Sequence, residues 1–113
     1  MKQYDSEKPI LERILKNINN IEDLLKTTTE GSFMSDLKDF NAICLEIIQI
    51  GEKVNQLPLE FYDAYPEIPW HELYGMRNRI VHGYEKVNKV IIWSTLMQDI
   101  PAIKTNLLKI ISE

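Results

Sequence analysis

Cysteine occurs once in these 113 residues, at Cys44, so an intrachain disulfide is excluded. Set in an apolar run, that thiol reads as a small buried hydrophobe in a reducing compartment. Glycine is scarce as well, with four residues, and none of them builds a Gly-rich phosphate loop or a G-x-S-x-G elbow. No cofactor is expected. Histidine occurs twice, and no second histidine, cysteine or carboxylate falls at metal-ligand spacing around His71, so no metal site is expected either. Nowhere do about 18 apolar residues run together, and the opening MKQYDSEK lacks the apolar core of a signal peptide. The default expectation is a soluble, cytoplasmic protein without membrane contact. Positive charge is also lacking: the net charge of −4 argues against unselective nucleic-acid binding, which leaves a basic footprint.

The charge is unevenly spread. Between positions 77 and 89 stand Arg77, Arg79, Lys86 and Lys89 against Glu85 alone, a local +3 that leaves −7 for the remainder. An acidic body with a basic rim suits a selective RNA site, and two-fold pairing would double the patch.

What is present is helical periodicity. The length fits one domain spanning residues 1–113, large enough to bury a core without staples, and the apolar fraction is ordinary for a globular protein. A first helix is expected from about Glu7 to Lys26, capped by Ser6, with Ile10, Leu11, Ile14, Leu15, Ile18, Ile21, Leu24 and Leu25 as its core stripe. The polar run from Thr27 to Ser32 reads as a loop. A second helix runs from about Ser35 to Gln56, with Leu37, Phe40, Cys44, Ile47, Ile48, Gly51 and Val54 along one seam; Gly51, costly in a helix, suggests close approach of another helix. Pro58 to Ala64 forms a short turn of helix placing Leu59, Phe61 and Tyr62 over the core. A motif helix begins at Pro69, burying Trp70 and Leu73 and leaving His71 solvated. Asn88 caps a last helix reaching about Ile111, in which Trp93, Leu96, Met97, Ile100, Ile103, Leu107, Ile110 and Ile111 keep helical phase across Pro101; that favours a kink over a break, with a fresh start capped by Asp99 as the alternative. Val90-Ile91-Ile92-Trp93 is apolar nearly all round, and a second copy of the chain is the simplest cover. Without a convincing period-two strand or an internal repeat, the fold class is all-α, a bundle of four to five helices.

Most of the chemistry lies in one stretch, Pro69 to Asn88, PWHELYGMRNRIVHGYEKVN. Gly83 suits the left-handed residue just past a helix end. Asn78 and His82, four apart, share a helix face, whereas Arg77 and His82, five apart, lie about 140° apart around the axis. Arg77 and His82 meet on one ligand only if the last turn unwinds or a second copy brings its own pair. A guanidinium suits a phosphate, and an imidazole suits moving a proton. Together they can serve phosphodiester cleavage without a metal, histidine handling the ribose 2′-hydroxyl or leaving-group proton and arginine the charge on the phosphate oxygens. Asn78 could orient either; Tyr84 could hydrogen-bond, stack or be modified. Glu52 could face the cleft and orient His82. Residue type alone leaves plainer uses open: Arg77 as a charge complementing the helix dipole, His82 as a cap, Tyr84 as a packing residue, Glu52 and Asp39 as solvated carboxylates.

Arg77-Asn78-Arg79-Ile80-Val81-His82 matches the R-x4-H motif of HEPN domains, and with Gly83-Tyr84 it takes the R-x4-H-x-Y form. Together with Ile68-Pro69-Trp70, Gly75-Met76 and Ile50-Gly51-Glu52 upstream, it resembles the HepT subfamily, the toxin half of HepT/MntA toxin and antitoxin pairs, over roughly residues 10 to 110. The resemblance implies an all-helical homodimer with the motif residues of both protomers lining an interface cleft. It implies metal-independent cleavage of an RNA substrate, with Arg77 and His82 as the catalytic pair, Asn78 as their polar helper, and Tyr84 as the residue to which an MntA-like nucleotidyltransferase antitoxin attaches AMP. Some HEPN domains bind without cutting, so a noncatalytic nucleotide- or partner-binding module is the rival expectation.

Overall fold

The computed structural model describes residues 2–113, and every regular element among them is helical. A 3-10 turn, Lys2–Tyr4, leads into α1 (Lys8–Leu25), α2 (Glu30–Ser35), α3 (Leu37–Val54), α4 (Leu59–Ala64) and α5 (Trp70–Gly83). A second 3-10 turn, Tyr84–Lys86, joins α5 to a final rod made of α6 (Lys89–Ser94), a π turn (Thr95–Asp99) and α7 (Ile100–Ile111). The three long helices expected are thus α1, α3 and that rod, and the shorter motif helix is α5. α3 is the spine: it packs against α1, α2 and α5, while α7 lies along α1 and α2 touches α6. Among the described residues no helix is long and apolar enough to cross a membrane.

The α1 stripe buries Leu11, Ile14, Ile18 and Ile21 as its period requires. Its entry differs from expectation: Glu7 is the N-cap and makes no side-chain cap, and the Ser6 hydroxyl donates to Glu7 Oε2 at 2.8 Å. Asn17 interrupts the stripe, buried to 3% exposure. An unsatisfied amide there would be costly, but its Nδ2 donates to Glu46 Oε1 (3.0 Å) and Gln49 Oε1 (2.8 Å), and its Oδ1 accepts from Lys53 Nζ. The clasp sets α1 against α3 through groups that fit in one register.

The run read as a loop contains α2. Thr29 Oγ1 accepts from the Ser32 amide at 3.1 Å and Ser32 Oγ accepts from the Thr29 amide at 3.0 Å, a capping box that starts a helix too short for a hydrophobic period to announce. Its Phe33 is fully buried. α3 begins later than expected, after Asp36, whose Oδ1 accepts from the Lys38 amide at 2.8 Å. That start leaves Leu37 exposed, and Ile43 and Ile50 fill the seam with Phe40, Cys44, Ile47 and Val54. Leu59, expected over the core, is exposed too; Phe61 alone of the α4 apolar residues is fully buried.

The kink expected at Pro101 is a widened turn ahead of it. Proline lacks the amide hydrogen, and its ring would collide with the carbonyl four residues back, so the backbone opens into the π turn and recloses at Ile100. The wide turn shifts helical phase: Ile92 and Leu96 go inside, Trp93 is only partly covered, and Met97, assigned to the apolar stripe by periodicity, faces out.

Cys44 sits in the α3 core at 3% exposure, and desolvation pushes its thiol up to about 11. We expect negligible alkylation by iodoacetamide at pH 8 in the folded protein and rapid alkylation in denaturant, measured by intact mass; equal rates would show that the seam opens readily.

Candidate active site

α5 carries the motif because Trp70, Leu73, Met76 and Ile80 anchor its inner face. Arg77, next to Met76, points back toward α3. There the absence of a side chain at Gly51 makes the room: a Cβ on Gly51 would stand 2.3 Å from Arg77 Cβ, so the close approach expected of this glycine is made to the arginine itself. The guanidinium is held on two sides, Nη1 donating to Asn78 Oδ1 at 2.8 Å and Nη2 to Glu52 Oε1 at 3.1 Å, with Cζ 5.8 Å from the Tyr74 ring centre. Its Nε is buried with no partner among the described residues. Glu52 therefore steadies Arg77, neither orienting His82 nor standing free as a solvated carboxylate, the two uses residue type left open. The Glu52 side chain is 52% exposed, so the pair is worth about 0.2–1 kcal/mol and serves mainly to aim the guanidinium.

His82 lies on another face. α5 stays helical through Gly83, so Arg77 and His82 keep their offset and no hydrogen bond joins them. His82 is exposed and, with Asn78, lines a groove of about 600 Å³ between the end of α5 and α6. Arg79, Lys86 and Asn88 add polar groups to that groove, and Met76, Ile80, Val87, Ile91 and Ile92 form its apolar floor and wall. Asn78 is the link, accepting from Arg77 while lining the groove beside His82.

Gly83 has φ −139°, and no described glycine has positive φ, so the left-handed exit expected there is absent. The chain instead tightens into the 3-10 turn that begins at Tyr84. That turn lays the Tyr84 ring 5.7 Å from the Phe40 ring and lets its hydroxyl donate to Asn41 Oδ1 on α3, with the side chain still 39% exposed. Nothing in the sequence marked Asn41, one polar residue on an exposed helix face. The basic rim is also smaller than composition implied: Lys89 turns inward, donating to the Met34 carbonyl at 3.0 Å with its ammonium 4.6 Å from the Phe40 ring centre. Arg79 and Lys86 are the cations that line the groove.

The family model described as ribonuclease HepT-like matches residues 14–110. The chain belongs to that family. Its relatives include the protein named probable ribonuclease HepT of Thermococcus cleftensis, 34% identical over 99 residues, covering 88% of this chain and 90% of that one. Two further relatives are named as putative RNases. One, from Caldanaerobacter subterraneus, is 32% identical over 106 residues, 94% of this chain and 95% of its own length. The other, from Methanocaldococcus jannaschii and named as a gamma-glutamylcyclotransferase too, is 36% identical over 103 residues; these cover 91% of this HepT-like chain but only 46% of that longer protein. No solved structure matches. As a HepT-like ribonuclease, the chain has RNA as its substrate class.

Proposed function

We propose that residues 1–113 form one HEPN-like domain acting as a metal-independent ribonuclease toxin. In this reading it works as a homodimer and is neutralised when an MntA-like nucleotidyltransferase antitoxin attaches AMP to Tyr84. The observation that carries the reading is Asn78, which touches the aimed guanidinium of Arg77 and opens on the groove of His82. An RNA phosphate held at Arg77 has Asn78 as its nearest polar neighbour on the path to an imidazole. The 2′-hydroxyl attacks phosphorus, its proton passing to a histidine; the phosphorus to 5′-oxygen bond breaks, and the leaving oxygen takes up a proton. Arg77 stabilises the negative charge that builds on the phosphate oxygens.

A second copy supplies what one chain lacks, since Arg77 and His82 of one α5 face different ways. Ile91, which lines the groove, and Val81 and Val90, chain neighbours of groove residues, stand exposed, apolar surface that pairing would cover. If the working site joins Arg77 of one protomer to His82 of the other, Arg77→Ala and His82→Ala proteins, each inactive alone, should regain part of the wild-type rate when refolded together. Failure of mixed dimers to recover activity would place both residues in one chain's site.

What supports Tyr84 as the acceptor is its accessibility: the residue is 39% exposed, its ring on Phe40 and its hydroxyl donating to Asn41. An added phosphate and adenosine would bring negative charge and bulk to the exit of the motif helix. Coexpression with a family nucleotidyltransferase should add the mass of AMP to the intact protein and not to Tyr84→Phe. Equal modification of the Tyr84→Phe protein would move the acceptor elsewhere.

A further inference from the structure

Upstream of the motif, α5 lines a second cavity of about 420 Å³ that the proposed chemistry does not use. Tyr74, His71 and Trp70 come from α5, Tyr62 from α4, and Asn55 from the end of α3. The aromatic walls pack on one another. Tyr62 and Trp70 stack at 5.7 Å with planes 15° apart, and His71 meets Tyr62 edge-on at 5.4 Å. Their polar ends are already tied: Tyr62 Oη donates to the Val54 carbonyl at 2.6 Å and Trp70 Nε1 to the Tyr65 carbonyl at 2.9 Å. The Asn55 side-chain amide and the His71 ring nitrogens make no hydrogen bond among the described residues, so they are the polar groups left for an occupant. Tyr74 is shared with the motif, because Arg77 reaches over its ring.

A hollow walled by aromatic rings and by Leu57, Pro58 and Leu59, with unpaired polar edge groups and one side chain from a guanidinium, suits a flat aromatic ligand. We propose that this cavity is a nucleobase subsite, in which the base next to the phosphate held by Arg77 stacks on Tyr74 and offers its edge to Asn55 and His71. The inference rests on the ribonuclease reading and extends it: phosphate recognition is sequence-blind, so a base pocket beside Arg77 is where preference among RNA sites arises.

Trp70 is the reporter. In Trp93→Phe protein it is the sole tryptophan, and titration with 5′-AMP, GMP, CMP and UMP should quench its fluorescence saturably, whereas inorganic phosphate should not. Tyr74→Leu, which keeps apolar bulk without a ring, should weaken nucleotide binding about tenfold, within the range for losing one base–aromatic stack; Tyr74→Phe should retain it. Leu59→Glu, at an exposed rim position, should repel the anionic nucleotide from the cavity without touching the core or adding a fluorophore, a check that survives should Tyr74→Leu misfold. In cleavage assays Tyr74→Leu should raise KM, and Tyr74→Phe should leave it near the wild-type value. Unchanged nucleotide affinity in both Tyr74→Leu and Leu59→Glu, or quenching by phosphate alone, would overturn the subsite. Saturable nucleotide binding lost in Tyr74→Leu, from a protein that never cuts RNA, would keep the subsite and remove the ribonuclease; cleavage with a KM indifferent to Tyr74 would do the reverse.

Discussion

Replacing His82 with alanine should lower RNA cleavage by roughly a hundred- to ten-thousand-fold, the usual worth of a positioned acid or base. Stability should move little, within about 0.5 kcal/mol, because His82 is exposed and makes no hydrogen bond among the described residues. That separation makes the experiment decisive: a folded, inactive variant identifies chemistry, where an unfolded one would identify packing. Cleavage by the wild type should persist in excess chelator, since the proposed charge stabilisation comes from Arg77. A substrate carrying a 2′-deoxyribose at the cleaved position should resist, having lost the attacking oxygen. Cutting of the deoxy substrate at an undiminished rate, or full activity of His82→Ala, would reject the mechanism.

Gly51→Ala should be the most damaging small substitution in the chain. The added methyl would stand 2.3 Å from Arg77 Cβ, 2.8 Å from Arg77 Cγ and 3.3 Å from the Leu73 carbonyl oxygen. Alanine gains up to about 1 kcal/mol in helix propensity over glycine, but Cβ is fixed to the backbone and no rotamer removes this clash. Only a shift of α5 away from α3 relieves it, so overpacking should win with a net loss of about 1–3 kcal/mol, measured by thermal or urea unfolding. Activity should fall further than stability accounts for, because the displaced element carries Arg77, and a misplacement near 1 Å can cost about a hundredfold. Gly83→Ala is the control: a Cβ there meets nothing within 4 Å, and stability and cleavage should both be nearly unchanged. Equal behaviour of the two variants would mean that the α3 to α5 contact is not where Arg77 is set.

Elements that bury a long stripe were readable in advance. α1 and α5 follow their apolar spacing to within a residue or so at each end, and Gly51 was legible as a point of close approach because a glycine in mid-helix has few other uses. Short-range polar chemistry was harder to read. α2 arises from a Thr29–Ser32 capping box hidden in a polar run, and Leu37 lost its place in the seam when Asp36 took the cap. Met97 shows a third limit: a period counted across Pro101 assumes 3.6 residues per turn, and the π turn breaks that assumption before the proline is reached.

For the site, the motif residues and their angular offset were contained in the sequence, because helix geometry ties side-chain direction to spacing. Their partners were not. Glu52 on Arg77, Asn41 on Tyr84 and Lys89 turned inward onto Phe40 and Met34 join residues 25, 43 and 55 positions apart (the last counted to Met34) across helices. Such pairings depend on how α2, α3 and α5 come to rest against one another, which packing decides and local spacing cannot. The sequence by itself determined a helical chain of HepT type with an arginine, an asparagine and a histidine on one short helix. Tertiary structure alone decided that the arginine is clamped against α3 while the histidine opens on the α6 groove, because only the closed bundle sets which helix each face of α5 meets.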